Sequence, residues 1–170
     1  MISSGVKQSS GLDEKRGQPV RIVDYSPAYG EAFKSLNARW INEYFTMEPS
    51  DVVLLDDPQG MIIDRGGAIF VALSGNDVVG VCALVPESRS TFQLAKMAVA
   101  PEAQGRGIGR MLGVAVLDRA RSLGASEVIL FTNDVLAPAM ALYHSLGFVR
   151  VAHEGAEHVR SNTKMSFRLS

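Results

Sequence analysis

Apolar side chains recur along this chain with two periods, and the changes between them mark out its elements. Val20, Ile22 and Tyr25 suggest a short strand, and Ser26 and Pro27 read as the cap and first position of a helix reaching Phe45. In that helix Phe33, Leu36, Trp40, Ile41 and Tyr44 form one apolar face, with Asn37 a candidate break into two helices. The stretch to Asp64 carries Pro49, Pro58 and Gly60 and reads as irregular, with at most short turns. Residues 68–73, a Ser74-Gly75-Asn76-Asp77 turn and residues 78–85 then predict a hairpin, and residues 91–99 a third strand of an antiparallel meander. The helical period returns over 107–122 through Ile108, Met111, Leu112, Ala115 and Val116, with Gly124 as the stop. A strand over 128–132, a short helix from Pro138 to Gly147 and strands over 148–152 and 164–169 complete the pattern. About seven strands and four helices in this order predict an α+β domain with a mixed, mostly antiparallel sheet.

Composition narrows the class. The 170 residues are 46% hydrophobic and 21% charged with a formal net charge of −1, enough chain for one cored domain and too little positive charge for a strongly basic nucleic-acid binder. Residues 1–18 are rich in Ser, Gly and charge and predict a loose tail, so the domain is expected over 19–170. A lone Cys82 makes no internal disulfide, no apolar run reaches the roughly 18 residues of a membrane span, and the tail lacks the apolar core of a secretory signal; together these predict a cytoplasmic protein with no membrane partner.

The stretch with the most chemistry is Gln104-Gly105-Arg106-Gly107-Ile108-Gly109-Arg110, between a strand and an amphipathic helix. Alternate glycines permit a tight turn that presents backbone N–H groups at a helix N-terminus, where an anion is favoured. A plain turn before a helix is the bland alternative. The Gly-Lys-Ser/Thr of a Walker loop is absent, and the third glycine comes one position too early for the dinucleotide fingerprint.

With the preceding LAKMAVAP and the downstream ALYHSLGF, this Gln-x-x-Gly-x-Gly loop resembles the GNAT superfamily of acyl-CoA-dependent N-acyltransferases, over roughly residues 19–170. The resemblance implies acetyl-CoA as cosubstrate and a GNAT-like sheet. It implies that backbone groups of Met97, Ala98 and Val99 pair with the pantetheine arm, that Gln104, Gly105, Arg106, Gly107, Ile108, Gly109 and Arg110 hold the pyrophosphate, that Asn133 reaches the pantetheine and that Tyr143 is the general acid. Where many members carry a general-base glutamate this chain has Gln93, an amide that takes no proton at neutral pH. The base is therefore open between a water held by Gln93, a carboxylate such as Glu48 or Asp51, and an acceptor amine of low pKa. A module that binds acyl-CoA with little chemistry is the rival reading.

Acidic residues dominate 43–64 and basic ones, Lys96, Arg106, Arg110, Arg119 and Arg121, dominate 96–121. That asymmetry suits a basic surface for cofactor phosphates and an acidic rim, with Glu48 and Asp51, that would favour a cationic amine. Trp40 and Tyr44 are candidate walls of the acceptor pocket, beside Phe45 and Met47. His144 reads as a surface residue, His153 and His158 lack companions at metal spacing, and Cys82 reads as inert core, so neither a metal nor a covalent enzyme intermediate is expected. Monomer and homodimer both stay open.

Overall fold

The computed structural model describes residues 17–153 and 160–170. Most of the expected tail over 1–18, and His158, lie outside the described residues. Seven strands form one sheet: β1 (Val20–Asp24), β2 (Ala68–Ser74), β3 (Asp77–Pro86), β4 (Thr91–Val99), β5 (Glu127–Thr132), β6 (Val149–Val151) and β7 (Thr163–Arg168). Their spatial order is β1-β2-β3-β4-β5-β7-β6, antiparallel throughout except between β4 and β5. Four α-helices join them: α1 (Gly30–Tyr44), α2 (Pro49–Asp56), α3 (Ile108–Ser122) and α4 (Ala137–Leu146).

The strand period of two explains the layers. In the wholly buried β2, Phe70 and Ala72 face one core with Ile108, Leu112 and Val116 of α3, while Ile69, Val71 and Leu73 face the other with Phe33 and Ile41 of α1 and Leu55 of α2. The continuous apolar run Ala68 to Leu73 is thus a strand covered on both faces.

Two expectations are corrected. Asn37 does not divide the first helix: it is buried, and its Nδ2 donates to the Phe33 carbonyl one turn back, so the amide is satisfied inside an unbroken α1. The stretch after Phe45 is not irregular but holds α2 and a π-helical turn, Gln59–Ile63. Pro49 sits at the start of α2, where its missing N–H costs nothing, and Glu48 and Asp51 form a reciprocal capping box. Leu55, only 2% exposed, anchors the helix to the core.

Candidate active site

The parallel pair β4 and β5 touches only at its start. Its ladder ends at Gln93 and Ile129; beyond that point β4 stays with β3, β5 stays with β7 as far as Thr132, and the sheet splits. A bulge in β4 widens the split. Val81 pairs with Ala98 but Ala83 with Ala95, so β4 spends one extra residue there, and Lys96 takes a φ of 52°, the left-handed region. The side chains change faces across it: Phe92 and Leu94 lie in the α3-side core, as would Ala98 in a regular strand, yet Met97 and Val99 pack there and Ala98 faces α1.

At the mouth of the split the chain leaves β4 through a 3-10 turn, Pro101–Ala103, and enters the glycine loop. Gly105 and Gly107 have φ of 81° and 75°, which any other residue adopts only with strain, and a Cβ built at either would meet nothing within 4 Å. Gly107 caps α3, so the first amides of that helix, from Ile108 onward, point out without intrahelical acceptors. The loop is an open cradle of N–H groups at the positive end of a 15-residue helix, which fits a pyrophosphate.

A cleft of about 660 Å³ runs from this cradle into the split. Met97, Ala98, Val99, Gln104, Gly105, Gly107, Ile108, Gly109 and Arg110 line it on one side, and Leu136, Pro138, Ala139, Leu142 and Tyr143 on the other, with Trp40 and Tyr44 at its end. Two residues expected there sit elsewhere. Arg106 turns away from the cradle, donating to the Gln18 carbonyl at 2.5 Å and the Ser74 hydroxyl at 3.4 Å. Asn133 is tied by its own turn: its Oδ1 accepts from the Val135 amide and its Nδ2 donates to the Arg160 carbonyl, so it lines the neighbouring cavity and not the cleft.

That second cavity, about 120 Å³, is bounded by Gln93 to Met97, Phe131 to Asn133, Asn37, Ile41, Phe45, Arg160 and Ser161. Trp40, Met97, Leu136, Ala139 and Tyr143 line both spaces. Tyr143 is partly buried; desolvation first, then the neighbouring Cys82, raises its pKa above the ordinary 10. The Cys82 thiol is itself pushed up by burial, which leaves it no thiolate for nucleophilic chemistry.

The charge asymmetry read along the sequence disperses in space. Of the five basic residues, only Arg110 lines the cleft, donating also to Ser145; Arg119 pairs with Asp24, and Arg121 with Asp118. Lys96 is on the other side, in the small cavity. The acidic rim does not form either. Asp56 pairs with Lys34, Asp57 accepts from the Gly60 amide, and Asp51 is 1% exposed beneath the cavity. Arg160 grips Asp51 with both terminal nitrogens at 2.6 Å and reaches Glu48 at 3.3 Å, and Lys96 binds Asp51 at 2.5 Å. Burial alone would raise the Asp51 pKa, but the hydrogen bonds from Arg160, Lys96 and the Glu48 amide outweigh it and hold the carboxyl far below the usual range. So fixed a carboxylate is no proton acceptor for an incoming amine, and among the described residues no Asp, Glu or His lines either cavity. Arg160 carried no sequence signal, lying in a polar turn. Lys96 did, as the one charge in an otherwise apolar run.

Comparison with known proteins agrees with this geometry. The Acetyltransferase (GNAT) family pattern matches residues 31–148. N-acetyltransferase family 8 member 2 of Rattus norvegicus is 35% identical over 96 residues, 54% of this chain and 42% of that protein, and N-acetyltransferase 8 of Homo sapiens is 38% identical over 98 residues, 55% and 43%. The matched stretch thus spans less than half the length of these relatives. Among solved structures, a GNAT-family acetyltransferase from Staphylococcus aureus Mu50 superposes with a TM-score of 0.81 at 18% identity, covering 89% of this chain and all of that one. YncA from Salmonella typhimurium, a putative acetyltransferase solved with its cofactor acetyl-CoA, does so at 0.70 and 21%, covering 89% and 95%. At these identities the structural likeness is one of fold. A pattern that matches most of the chain, over the same residues that split the sheet and build the cradle, makes this protein a member of the acetyltransferase (GNAT) family.

Proposed function

We propose that this protein is an acetyl-CoA-dependent N-acetyltransferase that passes an acetyl group directly to a primary amine in a ternary complex. The observation that carries the reading is the junction of two spaces at Tyr143: a long cleft with an anion cradle at one end, and a small second cavity at the other. Acetyl-CoA supplies an activated acetyl thioester. The chain's residues do the rest: amides of the Gly105–Arg110 loop and the Arg110 guanidinium bind the pyrophosphate, and the free edge of β4 from Met97 to Val99 accepts the pantetheine as an added strand. Tyr143 keeps its proton at neutral pH and delivers it to the departing sulfur. Gln93, whose side chain reaches the second cavity, orients the water that takes the proton from the amine.

Calorimetric titration with acetyl-CoA, followed by thiol release over an amine panel, tests this. Binding with amine-dependent thiol release is expected. Binding without release from any amine would favour the rival, a CoA-binding module, to which the missing carboxylate points; failure to bind acetyl-CoA would overturn both.

A further inference from the structure

The cavity beyond Tyr143 has an uneven lining. Two cations, Lys96 and Arg160, reach its surface, and the carboxylates that balance them do so from outside its lining. The exposures show the orientation: the Lys96 and Arg160 side chains are 15% and 16% exposed, whereas Asp51, held between them, is 1% exposed. Lys96 is aimed there by the bulge that puts it in the left-handed region, an arrangement with a conformational cost. The remaining wall mixes neutral polar groups, Asn37, Gln93 and Thr132 among them, with the aromatic rings of Trp40, Phe45 and Phe131.

We propose that the acceptor is an amine whose molecule also carries a carboxylate, bound at Lys96 and Arg160, with an apolar body against Trp40, Phe45 and Phe131. The inference rests on the acetyltransferase reading above and names its substrate class. An ammonium offers three donors and a guanidinium five, and Asp51 and Glu48 take only some of them, so a substrate carboxylate meets charge-assisted donors already held in place. A polycationic acceptor would set like charge against like, with no acid among the described lining residues to receive it. A plain apolar amine would cover both cations and leave them without the solvent they lose.

The test uses wild-type protein, thiol release with acetyl-CoA, and amino carboxylates of apolar body with varied amine–carboxylate spacing, each paired with its carboxamide, beside spermidine. At least one acid should exceed its amide by about 10- to 100-fold in kcat/KM, the range of a charge-assisted hydrogen bond, with the difference mainly in KM. In Lys96→Gln that ratio should shrink toward one, and being a ratio within one protein it is insensitive to partial loss of folded enzyme. Amides or spermidine turned over as well as the acids would overturn this inference and leave the acetyltransferase reading standing. No thiol release from any amine would remove both.

Discussion

Tyr143 is where the two cavities converge, and the burial that raises its pKa keeps the hydroxyl protonated beyond the ordinary value of 10. Tyr143→Phe preserves the ring that packs edge-on against Phe148 and removes only the hydroxyl. Turnover should fall by roughly 10²–10⁴-fold, with acetyl-CoA affinity changed less than about twofold. Because a raised pKa retains the proton, the wild-type rate should show no alkaline loss from this group until the pH passes 10; a rate that falls earlier in wild type and not in Tyr143→Phe would contradict the assignment. Gln93 makes the complementary case. Gln93→Glu places a proton acceptor in the small cavity beside two cations, so kcat at neutral pH should rise while KM for a carboxylate-bearing acceptor rises too, since the new anion competes for Lys96 and Arg160. Identical kinetics in the two proteins would take Gln93 out of the mechanism.

At the scale of elements, the turn from β4 into α3 separates two arginines that adjoin the same glycines. Arg110 borders the cleft and Arg106 is engaged with Gln18 and Ser74. Arg110→Ala should weaken acetyl-CoA binding about tenfold at low salt, less at high salt, whereas Arg106→Ala should stay within about twofold. Equal losses would mean that the cradle recruits both. Gly107→Ala asks a non-glycine residue to hold φ near 75° at the helix cap, at a cost of roughly 1–2 kcal/mol. The melting temperature should drop by several degrees and acetyl-CoA affinity at least tenfold; unchanged affinity would show that the loop does not bind the cosubstrate.

Across the whole molecule, Asp51 ties three distant parts of the chain together: α2, the β4 bulge through Lys96, and the approach to β7 through Arg160. Removing one partner from a buried ion cluster strands the others, so Asp51→Asn should destabilise the fold by roughly 3–5 kcal/mol at neutral pH. The sign of the pH dependence follows from the depressed pKa. The contribution is fully present above the unfolded aspartate value near 3.9, and is lost as pH falls through the much lower folded value. Denaturant titrations should therefore show a constant gap between wild type and variant above about pH 5 that narrows below pH 4. A gap that widens in acid would mean that Asp51 is not ionised in the folded protein.

Local information sufficed for the strands, for α3 and for the shape of the glycine loop, but not for α2 or the unbroken length of α1. The apolar run of β2, the helical faces of α1 and α3, and a loop whose glycines precede a helix are all determined within a few residues, because period and φ preference are short-range properties. The same range explains why the glycine loop before α3 and the short helix that carries Tyr143 were legible in the sequence. Tertiary structure alone decided the charges around the small cavity. Whether Glu48 and Asp51 formed an acidic rim or a buried counter-charge depended on Lys96 and Arg160, 45 and 109 residues from Asp51, and on a one-residue bulge that changed which side chains of β4 faced the cavity. Charge along the chain adds up locally, but the field in a cavity depends on which end of each ion pair is buried, and that is settled only when the strands part.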